Sequence, residues 1–449
     1  MNVRGMKVSV IGLGRSGMAA SRLLLKKGAF VFGSDSGTPP ISLKGFDYET
    51  GVHSERIFDA ELIVTSPGVP SDHRILKEAR RRGIEVIGEV ELASQYFDGQ
   101  MIAVTGTNGK TTTCALIKAM LDKGGFKAAL GGNISPGIPL SQVVLNADTE
   151  TIIVAEISTF QLETIKEFKP NIGIITNISA DHMDRHKDFR TYVSLKRKLF
   201  INQDAHDFCI LNFDDEITKE IKKEVTSQVF FFSVKNEVEN GAFLRKDDIW
   251  FNRQQNGKML FRRQDVLLPG EHNLENILAA SVACMLAGCN AESISTVVQT
   301  FSGVPHRLEF VKKIKGITFV NNSMCTNPVA FRRSLEGVTT PFVLICGGRN
   351  KNLALEQMIA PIRKAKYTVI IGESAPLLAR YLKEKGYEEF SIAKTIDEAT
   401  NVAYAHASVG DTVLLSPGGS SFDMFKDFAD RGKKFKESIR RLTNGKDER

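Results

Sequence analysis

Apolar residues in this chain fall mainly in short unbroken runs that end in glycine-rich or polar turns, and helical spacing, with apolar positions three and four apart, follows many of them. Runs at 7–11, 29–33, 62–65 and 85–87 predict the strands of a first α/β unit that ends near residue 97. Runs at 101–105, 151–155 and 172–176, with a helix over 112–121 after the first, open a larger second unit that a small-residue helix at 273–287 closes. A third unit repeats the rhythm with strands at 318–321, 342–346, 367–371 and 412–415. Apolar strands separated by helices predict parallel sheets covered on both faces. Between about residues 205 and 268 the texture changes to short alternating segments rich in charge, such as 229–234 and 249–251, which predicts a small antiparallel part. The expected architecture is therefore α/β in three domains, 1–97, 98–300 and 301–449.

With 449 residues, 42% of them hydrophobic, each unit has enough apolar material for its own core. No apolar run approaches the length of a membrane span, and the N-terminus leads straight into a strand, so neither a signal peptide nor an anchor is expected. The six cysteines (Cys114, Cys209, Cys284, Cys289, Cys325, Cys346) contain no CxxC pair, which disfavours a zinc site or a disulfide framework and favours a reducing cytoplasm. A net charge of +7 is small for this length and is spread along the chain, so Arg80 to Arg82 read as a solvated helix face and nucleic-acid binding is disfavoured.

The chemistry concentrates in turns at the carboxyl ends of the expected strands. TGTNGKTTT, residues 105–113, joins the strand at 101–105 to its helix. Gly106 and Gly109 allow backbone N–H groups to converge on an anion beside the positive end of a helix, Lys110 adds a mobile cation, and Thr111 offers a hydroxyl to Mg²⁺. A full P-loop would carry a glycine where this chain has Val104, so the loop is a shortened variant. Gly12, Gly14 and Gly17, with Asp35 about twenty residues on, form a GxGxxG turn that alone reads as a dinucleotide site. NISADHMDRH, residues 177–186, places Asp181, His182, Asp184 and His186 close together. The two histidines are spaced to share a helix face and a metal, or else the run merely caps a helix. Glu156, at the end of the next strand, occupies the place where phosphate-loop proteins hold Mg²⁺ through an acid. The turns NNSMCTN, GGRNKN and SPGGSS of the third unit should face one cleft, because ligands of open parallel sheets bind at the carboxyl ends of strands.

Five of these segments, TGTNGKTTT, EISTFQLE (156–163), NISADHMDRH, GEHNLENILAA (270–280) and PHRLEF (305–310), occur in the order of the motif series of the Mur ligases, which this chain resembles over all three units. The resemblance implies an ATP-dependent, amino-acid-adding enzyme of peptidoglycan precursor synthesis in the cytoplasm, acting as a monomer without nucleic acid or membrane insertion. EISTFQLE and SSFDMFKDFADRGKKF (420–435) resemble the branch that adds D-glutamate to UDP-N-acetylmuramoyl-L-alanine. It further implies a Rossmann-like UDP-binding first domain, a P-loop ATPase-like central domain and a Rossmann-like third domain. By the same resemblance, Gly106, Thr107, Asn108, Gly109, Lys110, Thr111, Thr112, Asn273, Asn276, Arg307 and Asn322 meet ATP, with His306 beside Arg307 at the entry to the third domain. Thr111, Glu156, His182 and Lys196 hold two Mg²⁺ ions. Lys196, four residues after Tyr192, is implied to carry a carbamate, which turns a cation into an oxygen ligand. Lys110, Glu156, His182 and Lys196 are the implied catalytic set.

Gly14, Arg15, Ser16, Asp35, Ser36, Ser66 and Asn133 are implied to hold the UDP-substrate, and Thr326, Lys351, Ser421 and Phe428 the incoming amino acid. The chain departs from the glutamate-adding pattern at 321–327, where NNSMCTN replaces NDSKATN, so that Asn322 stands for an acid and Met324 for a lysine. Another amino acid or stereochemistry, a nicotinamide-dependent oxidoreductase built on the GxGxxG turn, and a nucleotide-hydrolysing switch are the competing readings. The implied ligation proceeds through an acyl phosphate, and the third domain is expected to swing about hinges near 96–100 and 299–305.

Overall fold

A computed structural model describes the chain apart from residues 40–44, 135–136, 181–185, 187, 255, 337, 339, 350–354 and 445–449. It divides into two compact units, Met1–Phe301 and Ser302–Arg449. Among the described residues, the first unit contains two sheets and the second contains one.

The first sheet is all parallel, with strands in the spatial order Asp47–Thr50, Phe30–Asp35, Lys7–Ile11, Leu62–Thr65 and Glu85–Gly88. The edge strand Asp47–Thr50 is absent from the sequence reading, because DYET is polar and mostly exposed and carries no apolar run.

The second sheet has nine strands, with Met101–Thr105 between Ile152–Glu156 and Ile172–Ile175. All five residues of Met101–Thr105 are buried. Ile102 and Val104 face the helices Lys110–Lys123 and Glu271–Leu286, while Met101 and Ala103 face Leu140, Val143 and Leu162 on the other side. Two-sided burial is why MIAVT shows no polar alternation. Beyond Ile172–Ile175 the sheet continues through Phe208–Asn212, Gln228–Ser233 and Gly241–Arg245, all parallel. Only Asp248–Arg253 and Asn256–Arg262 pair antiparallel, so the antiparallel part starts later than the change of texture near 205 predicts. The reason is that Phe208–Asn212 is itself a buried parallel strand inside a charged surrounding sequence.

The third sheet runs Glu309–Ile314, Ile317–Asn321, Thr412–Gly418, Phe342–Gly347, Tyr367–Ile371 and Phe390–Ile392, parallel except for the first pair. Leu344, Ile370 and Leu414 pack on one face with Phe331 and Leu378, and Val343, Val369 and Val413 on the other with Ala399 and Phe435.

Two buried acids tie the first sheet to the second. Helix Glu89–Ser94 follows the last strand of the first sheet. Glu91 is fully buried and accepts the backbone N–H groups of Lys166, Glu167 and Phe168 at 2.8, 3.0 and 3.0 Å. A carboxylate satisfied by three donors replaces the water it has lost. Glu89 accepts from Ser141 N at 2.6 Å, but burial dominates there and pushes its pKa from 4.5 up to about 7. In the folded protein it therefore stays protonated up to about pH 7.

A raised carboxyl pKa stabilises the fold fully below the unfolded value and loses that contribution as pH rises through the folded value. Glu89→Gln should accordingly stabilise the fold more at about pH 8 than at about pH 5, by up to about 3 kcal/mol for a shift of this size, and raise the melting temperature more there. Thermal melts across this range check it, and an unchanged pH profile would rule out Glu89 as the source.

Candidate active site

The loop after Met101–Thr105 owes its shape to contacts that only glycine permits. Gly106 lies at φ 145°, where a Cβ would come within 1.9 Å of Thr176 Oγ1. Gly109 lies at φ 83°, where a Cβ would come within 2.1 Å of Asn276 Oδ1. Residues from the neighbouring strand end hold the loop: Thr107 N donates to Asn177 O, Asn108 N to Asn177 Oδ1, and Thr176 Oγ1 to Asn108 O. Helix Lys110–Lys123 begins directly at the lysine, so the N–H groups of its first turn point toward the loop. Thr112 is in its first turn, and Lys110 Nζ reaches back to Gly106 O and Thr107 O at 2.9 and 2.8 Å.

Thr111 Oγ1 donates 2.6 Å to Glu156 Oε2, and Asn133 Nδ2 donates 3.2 Å to Glu156 Oε1. Thr111 and Glu156 are both buried. A hydroxyl and a carboxylate held together beside a phosphate-type loop form a hard-oxygen donor set, which fits Mg²⁺. Lys196, in the last turn of helix Phe189–Arg197, is buried with its Nζ 4.5 Å from the centre of the Tyr192 ring. Tyr192 OH in turn lies 3.1 Å from Thr107 Oγ1, so this helix reaches the phosphate loop.

His182 lies outside the described residues, as do Asp181 and Asp184. His186 does not stand on a helix face. It is buried ahead of Phe189–Arg197, with Nε2 at 3.0 Å from Thr159 Oγ1 and its ring against Phe160 and Tyr192. Packing has claimed it, which corrects the expectation of a helical histidine pair. Asn276 is buried against Gly109 and Thr113, and Asn273 Nδ2 donates to Pro269 O at 2.6 Å.

A cavity of about 430 Å³ opens between the first and second sheets. Gly14, Arg15, Ser16, Asp35, Ser36 and Ser66 line it from the first sheet, and Asn133 from the second. Arg15 Nη1 donates to Gly137 O across the same gap at 3.2 Å. The GxGxxG turn therefore faces the central sheet, and Asp35 accepts the N–H groups of Leu13 and Gly37 at 2.6 and 2.8 Å.

In the second unit the turns 321–327 and 416–421 converge at adjacent strand ends. Gly418 N donates to Cys325 O, and Arg349 N, from the third turn, donates to Ser420 O. Residue Lys351 of that third turn lies outside the described residues. The piece that sequence reasoning missed is Arg431. It is fully buried, donating through Nε to Ser323 Oγ, through Nη2 to Ser323 O and through Nη1 to Gly419 O. Burial pulls its pKa down to about 10, which leaves it a cation at neutral pH. Ser323 Oγ donates on to Phe428 O at 2.7 Å, so Asn322, Ser421 and Phe428 sit around one clamp, with exposed Thr326 on the same turn. No periodic signal distinguishes Arg431 from the solvated charges of its helix. His306 is buried against Asn321 and Glu309, and Arg307 beside it is exposed.

Three family models match in order: "Mur ligase MurD-like, N-terminal domain" over residues 6–88, "Mur ligase middle domain" over 104–284 and "Mur ligase, glutamate ligase domain" over 306–419. Proteins named UDP-N-acetylmuramoylalanine--D-glutamate ligase are 43% identical in Koribacter versatilis (strain Ellin345), over 98% of this chain and 99% of the relative. Those of Thermoanaerobacter sp. (strain X514) and Clostridioides difficile (strain 630) are 40% and 35% identical, over 98% of this chain and 100% of each relative. This chain belongs to the Mur ligase family. Its fold is similar to that of the UDP-N-acetylmuramate-alanine ligase MurC of Thermotoga maritima, with TM-score 0.53 at 20% identity over 98% of this chain and 100% of that one. It is also similar to the MurF ligase of Thermotoga maritima in complex with ADP, with TM-score 0.51 at 16% identity over 98% and 96%.

The departure from the glutamate-adding Mur ligase pattern has a local accommodation. Asn322 Oδ1 accepts Leu308 N at 3.2 Å while its Nδ2 donates to Ser416 Oγ at 3.1 Å. An amide supplies the donor that an ionised acid lacks. Met324 is half-buried, and nothing in the structure explains the missing lysine.

Gly109→Ala would combine left-handed backbone with a collision at Asn276. It should weaken binding of a non-hydrolysable ATP analogue at least about tenfold, for a strain of roughly 1–3 kcal/mol. Titration calorimetry on the full chain checks this, and wild-type affinity would mean that the loop does not hold the nucleotide.

Proposed function

We infer that this chain is an ATP-dependent ligase that joins D-glutamate to UDP-N-acetylmuramoyl-L-alanine in peptidoglycan precursor synthesis, in the cytoplasm. The observation that carries the reading is similarity of 35–43% along essentially the whole chain to relatives that are named for this reaction. The site geometry supports it: an anion-binding loop, a hard-oxygen pair, a large cavity beside them and a clamped set of turns in the second unit.

ATP supplies a phosphoryl group that converts the alanine carboxylate to an acyl phosphate, and the amino group of D-glutamate then attacks the acyl carbon as phosphate leaves and a proton is lost. The chain's own groups position and neutralise. Lys110 and the backbone N–H groups of 106–112 face the phosphates, where they offset charge on the transferring group. Thr111 and Glu156 would hold Mg²⁺, which screens the phosphate charges when bound. His182 and Lys196 complete that ligand set in this proposal, Lys196 as a carbamate. Lys196 is buried with its Nζ over the Tyr192 ring, and a carbamate there would present oxygen donors to Mg²⁺ in place of an ammonium. Asn273 and Asn276 meet the adenine end, and Arg307 and Asn322 are further ATP contacts in this proposal. The 430 Å³ cavity takes the UDP-sugar, and Thr326, Lys351, Ser421 and Phe428 surround D-glutamate. Functionally the chain works as three domains bounded near residues 97 and 300.

Phosphate release with ATP and UDP-N-acetylmuramoyl-L-alanine should require D-glutamate within a panel of D- and L-amino acids. Release without any amine would favour a simple hydrolase, and release with another amino acid would reassign the specificity. Lys110→Ala should lower the rate on the order of a hundredfold or more. Lys196→Ala should abolish ligation and regain part of it with a small added carboxylic acid, whereas full activity without the acid would remove the carbamate from the mechanism.

A further inference from the structure

The cavity between the first two sheets contains one titratable side chain that the reading above leaves without a role, His53. Its surroundings decide which ring nitrogen carries the proton. The edge strand Asp47–Thr50 pairs with Phe30–Asp35 in a register that sets Glu49 opposite Ser34. Ser34 Oγ donates to Glu49 Oε1 at 2.7 Å, and Ser54 N donates to the same oxygen at 2.8 Å. Burial works against ionisation of Glu49, but the hydrogen bonds from Ser54 and Ser34 outweigh it and hold the pKa below the usual range. A hydroxyl has one proton, and Ser34 gives its proton to a carboxylate that cannot return one. His53 Nδ1, 2.6 Å from the same Ser34 oxygen, must therefore be the donor. The neutral ring is thereby fixed as the Nδ1–H tautomer with its acceptor lone pair on Nε2.

The charged and titratable neighbours on every side are Asp35 and Glu49 from the strands, His73 at the start of helix Arg74–Arg81, and Arg15 in the cavity wall. Burial and His73 pull the His53 pKa down against Glu49 and Asp35, so the ring is neutral at pH 7. The sheet order places it with respect to a nucleotide. Phosphate belongs at the glycine turn after Lys7–Ile11, and ribose at the acid that ends the adjacent Phe30–Asp35. His53 follows Asp47–Thr50, the next strand outward, where the base would lie.

We propose that His53 Nε2 accepts the ring N–H of uracil, selecting uridine over cytidine in the UDP-substrate, with Ser34 and Glu49 as positioning residues that fix its tautomer. The proposal rests on the assignment of this cavity to the UDP-sugar. Cytosine presents an acceptor at the corresponding ring nitrogen, so two lone pairs would face each other.

The test is calorimetric binding of UDP-N-acetylmuramoyl-L-alanine and its cytidine counterpart to the full chain without ATP. The diphosphate diester and carboxylate of the ligand stay ionised between about pH 5.5 and about pH 7.5. Wild type should bind the uridine ligand roughly 3- to 10-fold more weakly once acid has protonated Nε2, at a pH below the ordinary histidine value of 6.5. His53→Ala should show a similar loss at the higher pH and a narrowed preference for uridine. His53→Gln, which keeps an acceptor that does not titrate, should retain affinity and lose the pH dependence. Both variants should melt within a few degrees of wild type. Tighter binding in acid, or an unchanged uridine preference in His53→Ala, overturns the role of His53. Failure of wild type to bind the uridine ligand at either pH overturns the cavity assignment itself.

Discussion

The contact on which the rest of the first unit depends is the 2.6 Å hydrogen bond between Thr111 and Glu156. It joins the first turn of a helix to the end of a strand, both inside the sheet's buried margin, and it fixes where a cation and a polyphosphate could meet. Burying a carboxylate is costly without partners, and Glu156 has Thr111 on one oxygen and Asn133 on the other. Those partners come from different strand–helix units. The site therefore exists only when strands Met101–Thr105, Ala128–Gly132 and Ile152–Glu156 lie side by side in parallel.

Asn133 belongs to both halves of the chemistry, because it touches Glu156 and also lines the cavity that faces the glycine turn of the first sheet. The cavity and the metal-type donor pair are thus neighbours through one residue. Glu89 and Glu91 keep the two sheets in register with each other, so that the walls of the cavity, contributed by both, keep their spacing. Buried acids in this role are expensive to desolvate, and the shifted pKa of Glu89 is the measurable trace of that cost.

The second unit solves a similar problem with a cation. Arg431 has Ser323 Oγ, Ser323 O and Gly419 O as acceptors, and a planar fork of donors suits oxygens that diverge from two turns. Without it the turns would meet with unpaired backbone oxygens in a buried place. That explains why an arginine, rather than an apolar residue, fills the volume between them.

Much of this was written in the order of residues. Unbroken apolar runs gave the central strands because burial on both faces removes polar alternation, and TGTNGKTTT gave the loop because positive-φ glycines, a lysine and a threonine are needed at fixed intervals along one turn. The seven residues expected at the UDP end do line one cavity, since they sit at strand ends that a parallel sheet must bring to the same edge. What the chain order could not supply were partners set by register and burial. The polar strand Asp47–Thr50, the fate of His186 in a packed aromatic group, the inward turn of Arg431 and the proton position on His53 all depend on residues distant in sequence. Local pattern reports which face of an element is apolar, whereas a hydrogen-bond partner or a buried charge is defined only after the sheets have closed around it.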